Sequence, residues 1–587
     1  PSNVEFNQKD LTIQAIAKNP TTGACENVFA NNTDVVVQLK TNCHADIGSC
    51  SNAFITKEGG TTAEQISGAY SDVTLKFGSN STALYSYEYF NAGEMSLSAR
   101  KMVTLPSGAS ATLEDNSNNF VIRPFGFKFI FPEDPDPYSD GNPSGDFSRF
   151  KQAGREFKIN AVPIMWQSGE DGDVNVPSTH DGNIDADENA DNNVTVANFT
   201  GEDVKLDGQL VLPTIAQGGS AGIFTATNAT LVNSVAEFVD ARWSEVGTIN
   251  ITADLADGSY RGTGNVVGYA NGVGRFYPDH FTVSDLVTGD LAGQCINQTF
   301  IGETTADGAD SGTAVDGALK YYSTNPAMRI NAMAAGATPA TLPLNNYRGD
   351  FMRLQDSSVT FASSTSASGL AVNSVIETGT INESVGVVTF TMSDNDNFVF
   401  DRNNASKVAP FSATLNFPVA QVEDQDEVVL KVDVSATLSA TSKADHKVVY
   451  GRVKLHNTFG PDNQVLAMPV EHQMYDGSKF VTNPIVGAGC SYPVIPSSDF
   501  SLTPSPFGDL TAASLTVTPL TWQSGKASLQ IPASNLSGTL QLELDVPAWL
   551  RFDWDNNAGS SDTNPRANAI FGRYRGNDRV INWRERR

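Results

Sequence analysis

The densest group of potential metal ligands is an acidic segment at residues 168–193, which reads SGEDGDVNVPSTHDGNIDADENADNN. It holds eight carboxylates and no Lys or Arg, so its charges repel one another unless a cation or water separates them. Oxygen-bearing residues stand at every second position: Asp181, Asn183, Asp185 and Asp187. Oxygen ligands at positions 1, 3, 5 and 7 of a loop can converge on calcium.

The match to a calcium-binding EF-hand loop is partial. Ala186 stands where that loop has Gly, and Asn192 stands where it has Glu. The sequence therefore predicts a calcium site, with a plain solvated acidic loop as the alternative. The predicted ligands are Asp171, Asp173, Asp181, Asn183, Asp185, Asp187 and Asp191.

Signals of hydrolytic catalysis are weak. Residues 218–222 read GGSAG and match the GxSxG pattern, but a nucleophile elbow needs a strand before it and a helix after it. The residues that follow are typical of another strand. Six His occur, and none lies in an HExxH motif. We predict no catalytic residues, and a carbohydrate-active enzyme is the least favoured function.

The carboxyl-terminal segment 566–587 is chemically distinct, with seven Arg and two acids. In a chain of net charge −28, such a segment could dock on an acidic surface of the chain itself or of a neighbour. An ordinary terminal strand with an exposed polar face is the alternative. The interaction candidates are Arg573, Arg575, Arg579, Trp583 and Arg584.

Five cysteines are present, without CxxC or Cys/His zinc spacing: Cys25, Cys43, Cys50, Cys295 and Cys490. Three of them lie in the first 50 residues, which predicts one bridge there, and Cys295 and Cys490 are candidates for a second. The fifth has no assigned partner. Free buried thiols are the alternative, although the composition is typical of a secreted protein.

The charge balance limits the classes of partner. Lys and Arg number 38 against 66 Asp and Glu, which argues against binding to nucleic acid or to an anionic membrane surface. The sequence has no run of 18 apolar residues that could span a bilayer. These features predict an extracellular protein.

Alternating apolar and polar residues dominate the chain and predict strands with one buried face. The clearest run is Phe125, Phe127, Phe129 and Phe131. Gly, Asn, Asp and Ser punctuate these runs at short intervals, as in sandwiches and barrels. The predicted fold class is all-β, a tandem array of Ig-like β-sandwich modules with little helix.

Internal repeats support the array. Three segments open alike, at residues 11–17, 157–163 and 328–334. Residues 198–206 match residues 346–354. Tyr89 stands four residues before Gly93, and Trp243 stands four residues before Gly247, with the same alternation following each glycine.

The repeats predict four modules. Their limits are 1–120, 121–286 with the acidic insertion 168–193, 287–443, and 444–587 with the Arg-rich end. Because loops tolerate insertions and often carry function, the insertion is the main candidate site.

Several segments resemble the MshQ family, which is encoded with the mannose-sensitive haemagglutinin type IV pilus. They are residues 571–585, 546–550, 274–281, 123–127, 449–457 and 476–483. The resemblance implies an extracellular, pilus-linked protein that acts in adhesion or in pilus biogenesis, at the pilus tip or elsewhere. It implies pilus components or a surface glycan or protein as partners, and no catalytic residues. The alternative function is a structural subunit that self-associates by strand addition or head-to-tail contacts.

Overall fold

The computed structural model divides the chain into two compact units. The first comprises Pro1–His280 and Ala332–Arg353, and the second comprises Phe281–Asn331 and Leu354–Arg587. The residues described are 8–19, 21–44, 53–58, 60–104, 108–133, 149–166, 192–293, 297–304, 319–336, 343–403, 407–431, 435–486, 500–508, 510, 520–554 and 562–572.

The first module is a β-sandwich. Its strands are β1 (Gln8–Gln14), β2 (Ile16–Lys18), β3 (Cys25–Asn27), β4 (Thr33–Cys43), β5 (Ala53–Lys57), β6 (Glu64–Ile66), β7 (Ser71–Phe77), β8 (Thr82–Tyr89), β9 (Gly93–Thr104), β10 (Ser110–Asn116) and β11 (Phe120–Ile122). One sheet has the order β1-β8-β5-β6, and the other has the order β10-β9-β4-β7, with β11 also paired to β9. Strands β2 and β3 form a separate small ribbon.

The core of this sandwich follows the predicted alternation. Every second residue of β7 is buried, namely Val73, Leu75 and Phe77, and these pack with Tyr87 and Leu39 from the two sheets. Two faces of alternating apolar residues bury one another because this removes their side chains from water.

The second module is one nine-stranded sheet that surrounds its own core. Its strands are β12 (Gly126–Ile130), β13 (Lys151–Gln152), β14 (Phe157–Ile164), β15 (Asp203–Leu212), β16 (Phe224–Thr225), β17 (Ala229–Thr230), β18 (Ala236–Trp243), β19 (Gly247–Leu255) and β20 (Val267–Tyr277). The order is β16-β18-β14-β12-β20-β19-β15-β17, with β13 paired to β20. Phe127, Phe157, Phe276 and Trp243 are buried in one cluster at the centre.

The third module lies mostly in the second unit, but His280 and the segment Ala332–Arg353 belong to the first unit. Its strands are β21 (His280–Val287), β22 (Gly289–Ala292), β23 (Gln298–Phe300), β24 (Lys320–Tyr321), β25 (Ala327–Met333), β26 (Val359–Phe361), β27 (Thr365–Ser366), β28 (Val372–Val375), β29 (Thr380–Ser384), β30 (Val387–Thr391), β31 (Asn397–Phe400), β32 (Thr414–Val422), β33 (Thr437–Ser442) and β34 (Lys447–Val449). Its larger sheets have the orders β21-β25-β30-β29 and β24-β22-β33-β32-β26, with β27 also paired to β32. The pairs β23–β34 and β28–β31 complete it.

The fourth module has two further sheets. Its strands are β35 (Gly451–Leu455), β36 (Thr458–Pro461), β37 (Leu466–Tyr475), β38 (Phe480–Thr482), β39 (Phe500–Gly508), β40 (Lys526–Ile531), β41 (Gly538–Leu544) and β42 (Arg566–Gly572). One sheet is β35-β37-β38 with β40 paired to β37, and the other is β36-β42-β41-β39. Leu529, Leu542, Met468 and Trp549 are buried in the core between them.

Helix is scarce within the described ranges, as predicted. It is confined to 3-10 turns of three residues: Ser79–Ser81, Ile215–Gln217, Gly349–Phe351, Asp356–Ser358 and Ala548–Leu550. None of these turns has the length or apolar character needed to cross a bilayer. The all-β tandem architecture predicted from the alternation is confirmed.

Candidate functional site: a repeated joint between modules

The first copy of the nine-residue repeat lies where the second module contacts the first. Asn198 begins it in the second module and reaches the turn between β8 and β9 of the first module. Its Oδ1 accepts a hydrogen bond from the backbone N–H of Ala92 at 2.9 Å, and its Nδ2 donates to the Ala92 carbonyl at 2.7 Å. The backbone N–H of Ala197 donates to Oδ1 of Asn91 at 3.2 Å. One side-chain amide thus pairs with the backbone as a neighbouring strand would.

The second copy of the repeat, in the segment Ala332–Arg353 of the first unit, makes the equivalent contact with the second module. Asn346 donates from Nδ2 to the carbonyl of Val246 at 3.1 Å and to that of Ser220 at 2.9 Å. Its Oδ1 accepts from the Ser220 N–H at 2.7 Å. The N–H of Asn345 donates to Oε1 of Glu245 at 3.0 Å. Asn346 is fully buried, and its bond to the Val246 carbonyl is shielded from water.

The two contacts correspond residue by residue. Ala92 and Val246 each stand one residue before the glycine of the closing motif, Gly93 or Gly247. The strands that follow also correspond, because Leu39 pairs with Ala99 as Leu206 pairs with Ala253. We call these two contacts the first and second joints, formed by residues 91–92 with 197–198 and by residues 245–246 with 345–346.

An aromatic residue beside each Asn anchors the joint in the next segment. Phe199 is buried in the core of the second module, where its ring centroid lies 4.9 Å from that of Tyr260. Tyr347 is equally buried, and its hydroxyl accepts the N–H of Arg353 at 3.2 Å. Burial of the aromatic ring fixes the loop, and the adjacent amide is thereby held in position for its hydrogen bonds.

The second joint contains a buried acid where the first has a neutral amide. Glu245 accepts N–H groups of Asn345 and Asn346 at 3.0 and 3.2 Å, yet burial raises the pKa of this carboxyl above its usual range. The unfolded chain has the lower pKa, so between the two values the folded state holds more protons. The stabilising contribution of this group is therefore complete at acidic pH and is lost as the pH rises through the folded value.

We expect this acid to give the second joint a pH dependence. The melting temperature of the native chain should fall relative to that of Glu245→Gln as the pH rises from about 4 to about 8. Thermal unfolding of both proteins across that range measures it, and the other titrating groups cancel in the difference. If the melting temperature of the native chain instead rises relative to that of Glu245→Gln with increasing pH, the raised pKa of Glu245 is contradicted.

The GxSxG segment is part of the second joint. The 3-10 turn Ile215–Gln217 precedes it and β16 follows it, an order that differs from a nucleophile elbow. Ser220 contributes its backbone N–H and carbonyl to Asn346, and Gly222 lies against the indole of Trp243. Backbone packing accounts for the small residues of this segment.

The residues predicted from sequence as metal ligands lie outside the described residues. These are Asp171, Asp173, Asp181, Asn183, Asp185, Asp187 and Asp191. The insertion that carries them connects β14 to β15 of the second module. Within the described ranges, no cluster of three or more acidic, His or Cys side chains is arranged to hold a metal. Calcium binding stays a prediction.

The Arg-rich end also lies outside the described residues, since Arg573, Arg575, Arg579, Trp583 and Arg584 all follow the last described position. Docking through this segment stays a prediction.

Two of the five cysteines are described. Cys43 is disulfide-bonded, and its partner lies outside the described residues, as do Cys50, Cys295 and Cys490. Cys25, also among the candidates, is exposed and free, so it takes no part in the predicted amino-terminal bridge. It belongs to the small ribbon of β2 and β3, where its side chain faces solvent.

Sequence reasoning missed a cluster of arginine and aromatic side chains in the fourth module. The Arg452 guanidinium lies 3.6 Å from the ring centroid of Phe480, 4.6 Å from that of Phe552 and 4.8 Å from that of Trp554. Burial lowers the pKa of Arg452 to about 10, so the group stays charged and is stabilised by the ring faces. Arg452 and Phe480 fall in segments that carry the family resemblance, but Phe552 is about a hundred residues away in the chain.

The site and fold define a class of protein, a tandem array of Ig-like domains. The chain belongs to the DUF6701 family, whose four domain profiles together match almost all of it. The first Ig-like domain matches residues 2–115, the second domain 123–240, the third 245–447 and the fourth 449–586. No curated protein sequence matches the chain.

The limit between the second and third family domains differs from the predicted module limit. The family domains meet between residues 240 and 245, whereas β19 and β20 still pair with strands of the second module. The predicted limit at residue 286 falls within β21, which pairs with β25 of the third module, and the module limits stay predictions.

Solved structures similar to the chain include other multi-domain proteins. Invasin, described as a bacterial integrin-binding protein, has 11% identity and a TM-score of 0.24, covering 96% of this chain and 79% of invasin. The I9–I11 tandem of titin has 5% identity and a TM-score of 0.18, covering 72% and 94%. Escherichia coli alpha-2-macroglobulin activated by porcine elastase has 10% identity and a TM-score of 0.15, covering 96% and 44%.

Proposed function

We propose that this protein is a cell-surface, pilus-associated adhesin or pilus biogenesis factor that acts through protein or glycan contacts. In this proposal it has no enzymatic activity, and its Ig-like modules project a binding surface away from the cell. Membership of a family of tandem Ig-like domains supports the modular part of the proposal. The resemblance of several segments to a pilus-linked family supports the location.

The repeated joint is the observation that carries this proposal. An adhesin must keep its binding surface in place while its ligand pulls on it, so successive modules need a fixed relation. In each joint an Asn amide bonds the preceding module through both its donor and its acceptor. At the first joint, rotating the second module against the first would leave backbone groups of Ala92 unpaired, and each such buried group costs about 1–3 kcal/mol.

Calcium binding by the acidic insertion 168–193 is part of the proposal. The acidic insertion starts just after β14, the strand that opens with the repeated sequence, and returns just before β15. A bound cation there would order a loop that would otherwise be repelled by its own charges. We therefore propose that calcium supports the adhesive surface of the second module.

Binding of the purified chain to candidate surfaces tests the proposed function. Red cells, chitin beads and host mucin are the surfaces, each with and without a calcium chelator. We expect binding to at least one surface and its loss when calcium is removed. The variant Asp181→Asn/Asp185→Asn should show the same loss in the presence of calcium, with Asp394→Asn, in an exposed turn, as the matched control.

Absence of binding to every surface would contradict the adhesive role of this chain. A structural role in assembly would then be favoured, and a ladder of oligomers formed by the pure protein would support it. If binding persists in the presence of the chelator, the adhesive function is supported and its dependence on calcium is rejected.

A further inference from the structure

The second module has an opening in the hairpin that links β16 and β17 to β18. At one end Phe224 pairs with Trp243, and at the other end the N–H groups and carbonyls of Val232 and Val235 bond each other. Both ends have the same register, so an ordinary hairpin would stay paired between them. The two ends are joined by a turn in which Asn233 has a positive φ of 51°.

The two sides of the hairpin separate in its middle part. Ala229 and Thr230 pair with Val204 and Asp203 of β15 rather than with β18. In the described part of the chain, no strand pairs with β18 on this side between Ala236 and Asp240. The separation leaves a cavity of about 670 Å³, within the range of roughly 300–1,000 Å³ typical of small-ligand sites.

Both hydrogen-bond donors and hydrogen-bond acceptors line this cavity. Asn228, Asn233 and Glu237 are exposed, and within the described ranges their side chains make no hydrogen bond. Each amide supplies donors and an acceptor, and the carboxylate supplies acceptors. Asp240 is already held by Thr227, which donates its N–H at 3.1 Å and its hydroxyl at 2.6 Å. These bonds close one end of the cavity.

Apolar surface accompanies the polar groups. Val232 is 62% exposed and Val239 is 58% exposed, and both line the same cavity. Their exposed methyl groups are available to a ligand in the cavity. A ligand that fits this wall has hydroxyl groups on one side and C–H groups on the other.

We infer that this cavity binds a neutral saccharide unit. Hydroxyl groups both donate and accept, which suits the mixture of amides and a carboxylate, and the C–H face of a pyranose ring would pack on the two valines. The carboxylates of Glu237 and Asp240 would repel an anionic sugar, because the only charges lining the cavity are negative. This inference rests on the proposed adhesive function and names its ligand class.

Saturation-transfer NMR on the full chain tests the inference. The probes are methyl glycosides of neutral hexoses, with the methyl glycoside of a sialic acid as the anionic comparator. We expect signal transfer to at least one neutral hexoside and none to the sialoside. The variant Asn228→Ala/Glu237→Ala should reduce the transfer at least fivefold, whereas Gln209→Ala, exposed on β15, should leave it unchanged. Unchanged thermal unfolding shows that each variant is folded.

Three results would overturn the inference: no transfer to any neutral hexoside, equal transfer to the sialoside, or full transfer retained in Asn228→Ala/Glu237→Ala. The surface-binding assay separates this failure from failure of the proposed function. If the double variant still binds its surface as the native chain does, the adhesive role stands and the saccharide site is rejected. If the native chain binds no surface but transfers to a hexoside, the site stands and the adhesive role is rejected.

Discussion

Replacing Asn346 with Ala is expected to destabilise the second joint by about 3 kcal/mol. The substitution removes three hydrogen bonds and leaves the buried carbonyl of Val246 and the half-buried N–H of Ser220 without the Asn346 side chain as partner. Protection of the Ser220 amide against hydrogen exchange should fall about a hundredfold, because each 1.4 kcal/mol is a factor of ten. Hydrogen-exchange mass spectrometry of the full chain measures this locally.

Asn119→Ala is the matched control, since its exposed amide donates a single bond to Glu94 at 2.9 Å. We expect this variant to change stability by less than about 0.5 kcal/mol. Equal protection of Ser220 in Asn346→Ala and in the native chain would show that the amide does not hold the joint.

Replacing Gly247 with Ala should be at least as damaging. A Cβ atom there would lie 2.1 Å from the carbonyl oxygen of Leu212, and the backbone has a φ of +135°, which L residues rarely adopt. The clash would separate β19 from β15, where Thr248 pairs with Leu212. We expect a loss of about 3 kcal/mol or more, measured as a fall in the melting temperature of the full chain.

The variant Gly258→Ala separates the cost of the backbone conformation from the cost of the steric clash. Gly258 has a positive φ of +75°, but a Cβ there meets nothing within 4 Å. Its cost should be only the conformational one, about 1 kcal/mol. If Gly247→Ala and Gly258→Ala lower the melting temperature equally, backbone conformation alone explains the effect, and the close approach to β15 has no role.

Much of the fold could be predicted because it depends on local alternation. Phe125, Phe127, Phe129 and Phe131 have a strict period of two, and all four are buried. The opening of each repeat forms a strand in β1, β14 and β25. A strand with one apolar face has few ways to bury it, so the pattern determines the class of fold.

Strand pairing was beyond the sequence pattern. The parallel pairs β36–β42 and β23–β34 join segments more than a hundred residues apart. Alternation shows which face of a strand is buried but carries no information on its neighbour. The difference between the sandwich of the first module and the nine-stranded sheet of the second could not be predicted for this reason.

The candidate site was found in part. Both halves of the joint were visible as repeats, the 198–206 match and the spacing of Trp243 from Gly247, but nothing in the sequence joined one repeat to the other. The contact depends on Ala92 and Asn198, which are 106 residues apart. The contact could have been suggested by noting that the two repeated motifs recur at a similar separation along the chain in both copies. The buried state of Glu245 was not predictable, because an acid in a turn is ordinarily exposed.

Asn198 fixes the second module to the first in this proposal, and a distance measured across the first joint tests this most directly. Spin labels attached through non-cysteine chemistry at the exposed positions Thr112 and Gln209 would report the distance between the first two modules by pulsed electron resonance. We predict a single narrow distribution in the native chain that broadens in Asn198→Ala. A broad distribution in the native chain, or a narrow one that Asn198→Ala leaves unchanged, would contradict the account.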